Sequence, residues 1–220
     1  MRALILSGGD APDGAALDAA RLGWRRAELV IGVDSGARHA APLGLSLDRV
    51  IGDFDSLSES ELDAFAAAGV EIERHPVEKD ATDTELALLA ALDAGAKEIS
   101  ILATWGGRAD QALGTAALLA HPRIVTAGAN VELLDATSRI RLLRGESELR
   151  LRLPQGTIIS LVPWGGDVLV SASGLRWTLD REMLRAGESR GVSNETADGE
   201  VVIRLHAGSL LVAEASEPVR

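Results

Sequence analysis

Arg49-Val50-Ile51-Gly52-Asp53-Phe54-Asp55-Ser56 is the stretch from which the fold is read. An apolar run ends in a glycine, and two carboxylates follow with one residue between them. Val50 and Ile51 read as buried strand that leaves the sheet at Gly52. In locally extended chain Asp53 and Asp55 then point the same way, because strand side chains alternate with period two. Two carboxylates so placed at the carboxyl end of a parallel strand suit a hard cation such as Mg²⁺. That edge is also where open α/β sheets bind ligands. An isolated D-x-D is more often an Asp-rich surface turn. What favours the stronger reading is recurrence: polar or acidic clusters also follow apolar runs at Asp34, at Lys79 to Asp83 and at Arg108 to Asp110.

Toward the N-terminus, Ala3 to Leu6 and Leu29 to Val33 are short apolar runs, closed by Gly8-Gly9 and by Asp34-Ser35-Gly36. Both have the profile of buried strands. Between them, Asp13-Gly14 opens an Ala-rich helical stretch reaching about Trp24. Toward the C-terminus, Ser58-x-x-Glu61 and Thr82-x-x-Glu85 are capping-box signatures, and the helices they open close at Gly69 and Gly95. Val70 to Arg74 and Ile99 to Ala103 read as further strands, Gln111 to Ala120 as a helix, and Ile124 to Ala127 and Val131 to Leu134 as strands. Strands alternating with helices predict a parallel sheet covered on both faces, a three-layer α/β/α domain over residues 1–137.

Past Thr137 the pattern changes. Arg139 to Leu143, Glu148 to Leu153, Thr157 to Val162, Val168 to Ser171, Val201 to Leu205 and Leu210 to Ala213 are short β-like segments separated by turns. Gly165-Gly166 and Asp198-Gly199 read as hairpin signals. Residues 138–220 are therefore expected to form a smaller all-β sandwich or open barrel.

Composition narrows the function classes. The chain is 46% hydrophobic with a net charge of −11, and it has no cysteine. The charge argues against nucleic acid or an anionic membrane as partner. A phosphorylated small molecule stays open, because Mg²⁺ bridges carboxylates to phosphates. Disulfides, thiolate chemistry and Cys-ligated zinc are excluded. The first apolar run is too short for a signal peptide, and no stretch approaches a membrane span, so a cytoplasmic protein is expected. There is no P-loop, no G-x-G-x-x-G and no G-x-S-x-G.

In a parallel sheet the loops carrying Asp34, Asp53 and Asp55, Lys79 to Asp83, and Trp105 to Asp110 emerge on one edge. Clustered carboxylates repel, and a cation among them relieves that repulsion. Lys79 and Arg108 are placed to clamp phosphate, Arg108 by a two-pronged contact. Gly106 and Gly107 let backbone N–H groups approach closely. Taken singly, Asp80 and Asp83 read as favourable charges at a helix N-terminus, Asp110 as a cap and Asp34 as an Asx turn. In the β unit, Gly174-Leu175-Arg176-Trp177 and Ser193-Asn194 stand out. A Trp is more often core than platform, although its face can stack on a cationic aromatic ring.

Asp34-Ser35-Gly36, Gly52-Asp53-Phe54-Asp55-Ser56, Lys79-Asp80-Ala81-Thr82-Asp83-Thr84-Glu85, Gly106-Gly107-Arg108-Ala109-Asp110, Gly174-Leu175-Arg176-Trp177 and Ser193-Asn194 follow one another in an order that resembles the thiamine pyrophosphokinases, across nearly the whole chain. The resemblance implies a nucleotide-binding catalytic α/β domain, then a thiamine-binding β-sandwich, in a homodimer with sites between subunits. It implies transfer of diphosphate from ATP to the hydroxyethyl group of thiamine, with Mg²⁺, releasing AMP. Under it, Asp53 and Asp55, with Asp80 or Asp83, form the Mg²⁺ and phosphate end. Asp34, Ser35, Gly36, Lys79, Thr82, Gly107 and Arg108 lie on the ATP side, and Asp110 lies near the reacting centre as a candidate proton acceptor. Trp177, Ser193 and Asn194 become thiamine contacts, together with Gln111, which stands where many relatives have His. A pyrophosphokinase for another alcohol, such as a hydroxymethylpterin, would share the acidic cluster. A non-catalytic thiamine or nucleotide sensor would bind without turnover.

Overall fold

A computed structural model describes residues 1–197 and 199–215. The chain divides into two compact units, Met1–Ala136 and Thr137–Arg220, one residue from the expected boundary.

The first unit holds six strands: β1 (Arg2–Leu6), β2 (Leu29–Val33), β3 (Arg49–Gly52), β4 (Glu71–Arg74), β5 (Glu98–Leu102) and β6 (Asn130–Leu134). They lie in the order β6-β5-β1-β2-β3-β4, every neighbouring pair parallel. The helices are α1 (Gly14–Ala20), α2 (Glu59–Ala67), α3 (Asp83–Asp93), α4 (Ala109–Leu118) and α5 (Pro122–Ala127), with a 3-10 turn at Asp34–His39. Register pairs Leu4 with Val30 and Val50 with Ile72, so these side chains share one face. That face is covered by Leu17 of α1 and Leu62 of α2. Ile5, Ile31 and Ile51 project from the other face, are fully buried, and lie under α3, which packs on β1, β2 and β3. The three expected layers are present. The chain winds outward from β1 to β4, then returns to place β5 on the other side of β1. The switch point is therefore the crevice at the carboxyl ends of β1 and β5.

Two expectations in this unit need correction. The first helix ends at Ala20, with Arg21 as its cap, short of Trp24. Ile124 to Ala127 is not a strand but part of α5. The His121 side chain caps that helix by accepting from Arg123 N, Pro122 occupies its first turn, and Gly128 ends it in the left-handed region at φ 58°. Local cap chemistry outweighs the β-branched run Ile124-Val125-Thr126.

The second unit comprises β7 (Ser138–Arg144), β8 (Ser147–Arg152), β9 (Ile158–Pro163), β10 (Val168–Ser173), β11 (Leu179–Leu184), β12 (Asn194–Glu195), β13 (Glu200–Ala207) and β14 (Ser209–Ala215). One antiparallel set runs β12-β9-β14-β7 and the other β11-β10-β13-β8. Alternate residues such as Ile159, Leu161, Val170, Ile203 and Val212 form the core between them. The sandwich is as expected, but its turns are not. Gly165-Gly166 joins β9 to β10, which belong to different sheets, so it is a crossing and not a hairpin. At Asp198-Gly199, Asp198 lies outside the described residues, and the flanking strands pair elsewhere: β12 with β9, β13 with β10 and β8.

Candidate active site

Four of the expected residues converge at the carboxyl edge of the parallel sheet. Asp34 follows β2, Asp53 follows β3, Lys79 lies in the loop after β4, and Asp83 is the first residue of α3. The Lys79 Nζ stands 3.2 Å from Asp53 Oδ2 and 3.1 Å from Asp83 Oδ1, and it donates to the Pro76 carbonyl at 3.0 Å. The three charged side chains are only 13–15% exposed, which sets this group apart from surface ion pairs. Asp34 accepts from Phe54 N at 3.1 Å, and its carboxylate lies beside that of Asp83. Burial pushes the Asp34 carboxyl up to about 7, and the neighbouring Asp83 and Asp53 charges add to the rise. Asp53 moves the other way: the Asp55 N–H bonded to it, then Lys79, hold it below the ordinary carboxylate range. Burial works to lower the Lys79 ammonium, but Asp83 and Asp53 more than offset this, so its pKa is raised.

Backbone geometry keeps these groups in place. Asp34 itself has φ 44°, Phe54 φ 63° and Ala103 φ 55°, all in the left-handed region and all just after a strand. Such strain gathers where a site over-determines the chain. At Gly52 an added Cβ would fall 1.8 Å from Asp34 Oδ1, so the carboxylate occupies the space a side chain would need. Phe54 turns its ring into the core beside Leu57 and Leu62. The backbone between Asp53 and Asp55 is therefore not extended, and the expected pairing of those two carboxylates fails. Asp53 enters the cluster, while Asp55 is exposed and contributes its N–H to Asp53 at 3.1 Å.

The remaining expected residues divide as follows. Asp80 is exposed, and Thr82 caps α3 by accepting from Glu85 N. Ser35 is half-buried beside Gly8, and Gly36 is buried against the Leu6 and Ser7 carbonyls. Gly107 has φ 63° with open space around it. Arg108 and Asp110 are exposed and paired with each other, Nη2 to Oδ2 at 2.5 Å. Arg108 holds the Asp110 carboxyl below its usual range, which makes it a poor proton acceptor while the pair lasts. Gln111 is exposed in the first turn of α4.

Two features escaped the sequence reading. The loops after β1 and β5 are zipped together: Gly9 N donates to the Ala103 carbonyl at 2.8 Å and Asp10 N to the Trp105 carbonyl at 2.7 Å. The Asp10 carboxylate fills the space where a Cβ on Gly106 would fall, within 2.1 Å. Beneath them, Ser7 and Thr84 share a buried hydroxyl contact of 3.1 Å that ties α3 to β1. The signal was present in Ser7-Gly8-Gly9-Asp10, but only the topology shows that it borders the switch point.

In the second unit, Asn194 is buried and serves as a clamp. Its Oδ1 accepts from Trp177 N and Glu195 N, and its Nδ2 donates to the Trp177 carbonyl at 2.6 Å. Trp177 is 48% exposed, with the Arg176 guanidinium 4.7 Å from its ring centroid. Ser193 is exposed at φ 61°, and its N–H donates to Ser160 Oγ.

Residues 20–132 match the family model described as thiamin pyrophosphokinase, catalytic domain, and residues 146–210 match thiamin pyrophosphokinase, vitamin B1 binding domain. The chain belongs to the thiamin pyrophosphokinase family. It is 28% identical over 191 residues to a thiamine pyrophosphokinase of Bacillus subtilis (strain 168), covering 86% of this chain and 88% of the relative. The crystal structure of thiamine pyrophosphokinase from Bacillus subtilis superposes with a TM-score of 0.84 at 25% identity, covering 99% of this chain and 100% of that one. In fold alone, the Enterococcus faecalis family protein (TM-score 0.83, 24% identity, covering 99% and 100%) and the yeast enzyme (0.75, 18%, covering 98% and 86%) are also similar. As a thiamin pyrophosphokinase the chain is an enzyme of ATP-dependent thiamine pyrophosphorylation. A pterin acceptor or a non-catalytic sensor is not favoured, since both halves of the family match in order. No helix among the described residues is long and apolar enough to cross a membrane.

Proposed function

We propose that diphosphate transfer takes place at the edge where Asp34, Asp53, Lys79 and Asp83 converge. The observation that carries this reading is the close, mostly buried grouping of Asp53 and Asp83 around the Lys79 ammonium, with Asp34 beside the two carboxylates, at the carboxyl edge of the parallel sheet. The thiamine hydroxyl oxygen forms a bond to the β-phosphorus of ATP as the bond from that phosphorus to the bridging oxygen of AMP breaks, and the hydroxyl proton passes to solvent. Such a transfer needs alignment and charge neutralisation more than covalent help from the protein.

The donor set fits a hard divalent cation. It is all oxygen, and burial together with the neighbouring Asp83 and Asp53 charges raises Asp34 to about 7. Among the described residues no three His, Asp or Glu side chains already form a metal-holding group; Lys79 lies between two of the candidates. Asp53 and Asp83, with Asp34 behind them, would hold Mg²⁺, which supplies neutralisation of the phosphate oxygens. Asp55 and Asp80, exposed in the adjoining loops, stand outside the gathered set. Lys79 and Arg108 offset phosphate charge, Arg108 once it exchanges Asp110 for a phosphate. Ser35, Gly36, Thr82 and the open backbone at Gly107 border the nucleotide.

On the acceptor side, Trp177 offers an exposed ring for a cationic heterocycle, and Ser193 and Gln111 offer polar contacts. Asn194 acts by holding Trp177 in place. A homodimer with shared sites and a cytoplasmic location complete the reading. Chelating divalent cations should abolish AMP formation, and adding Mg²⁺ back should restore it. Unchanged turnover in chelator would contradict the metal role.

A further inference from the structure

The position of Lys79 raises a question that phosphate clamping does not answer. A lysine meant only to meet a nucleotide would extend into the open edge. Here its ammonium donates to Asp53 Oδ2 and the Pro76 carbonyl and stands 3.1 Å from Asp83 Oδ1, a buried oxygen with no hydrogen-bond partner of its own. It therefore fills the space between two carboxylates that are the natural ligands of a cation. The choice of residue is also informative. Lys79 is one of only two lysines in the chain, the other being Lys97, in a protein whose positive charge is otherwise carried by arginine. An ammonium is a compact point charge on a flexible stem, closer in size and mobility to a metal ion than a planar guanidinium is.

We propose that Lys79 is the resident counter-ion of the active site. In the nucleotide-free enzyme it binds Asp53 and Asp83 and keeps free divalent cations out, and it transfers to the triphosphate when the cation arrives as its nucleotide chelate. The proposal rests on the reading of Asp53 and Asp83 as cation ligands. Its physical basis is competition. A dication entering alone must displace Lys79 and leave a weakly solvated ammonium beside it, with like charges at close range. A cation entering on ATP brings phosphate oxygens that accept the displaced ammonium. Lys79 is thus a positioning residue that couples metal entry to nucleotide entry, so that the carboxylates gain a metal only when there is a phosphate to act on.

The test is metal binding to the protein without turnover. Mn²⁺ affinity would be measured by electron paramagnetic resonance for the wild type and Lys79→Met, without nucleotide. Removing the ammonium should tighten Mn²⁺ binding at least about tenfold, and adding Asp53→Asn to Lys79→Met should abolish that gain. Equal or weaker Mn²⁺ binding by Lys79→Met would overturn the proposal. A second measurement needs no variant. In protein labelled with ¹³C at lysine Cε, two signals are expected. Mg²⁺ alone at millimolar levels should leave the Lys79 signal in place, and Mg²⁺ with an ATP analogue uncleavable between the α- and β-phosphates should move it while the Lys97 signal stays. Movement of the Lys79 signal with Mg²⁺ alone would overturn the proposal. Failure of the functional reading would look different: no AMP from ATP and thiamine in the wild type.

Discussion

Gly52 shows how closely single residues control this site. The Asp34 carboxylate lies where a Gly52 side chain would be, 1.8 Å from the ideal Cβ position. Gly52→Ala should displace Asp34 without unfolding the sheet, and it is expected to lower kcat/KM by about 100-fold, the scale on which a misplacement of about 1 Å acts. Steady-state kinetics alongside circular dichroism would check this; full activity would show that Asp34 is a bystander. Glu61 illustrates a structural carboxylate of the opposite kind. Arg38, then the Ser58 N–H and hydroxyl, hold its carboxyl down to about 2. Its folded pKa lies below the unfolded value, so its stabilising contribution is present above about pH 4.5 and is lost as pH falls toward about 2. Melting temperatures of the wild type and Glu61→Gln should differ near neutral pH and converge in strong acid.

At the scale of elements, loops and short strands carry the specificity. The 174–178 connection is held to β12 by the Asn194 amide. Asn194→Ala would leave the Trp177 N–H and carbonyl unpaired, costing about 1–3 kcal/mol. It should raise the KM for thiamine while leaving that for ATP nearly unchanged, because no ATP-side residue touches this clamp. Equal effects on both constants would contradict the acceptor assignment. The same scale shows what could be read from the sequence. Asp34, Asp53, Lys79 and Asp83 were legible because each follows a strand end or opens a helix with a clear cap. The separation of Asp55 from Asp53 was not, because alternation presumes extended chain and Phe54 is left-handed, with its ring claimed by the core. Asn194 was read as a contact residue, and what the sequence did not show is that its side chain also holds the backbone of Trp177. At α5, β propensity misled where Pro122 and Gly128 decided.

For the whole molecule, strand order was the least legible feature and the most useful one. Hydrophobic patterning gave the six parallel strands and a seventh, at Ile124 to Ala127, that is helical, but nothing local says that β5 returns beside β1, and that return creates the switch point where the Asp10 and Gly106 loops meet. In the sandwich, glycine turns looked like hairpins because a turn signal does not reveal which sheet receives the next strand. If sites are shared between subunits of a homodimer, Asp53→Asn and Asn194→Ala chains, each impaired alone, should complement when unfolded and refolded together. About a quarter of wild-type site activity should return for random pairing of two subunits. No recovery in mixed dimers would place each site within one chain.

The most direct measurement is the identity of the two products. Purified protein with ATP, Mg²⁺ and thiamine should release AMP and thiamine diphosphate in equal amounts, only when thiamine is present, and Asp53→Asn should lose both together. ADP appearing with thiamine monophosphate would mean that attack falls on the γ-phosphorus, and the account of this site as a diphosphate-transfer centre would be wrong.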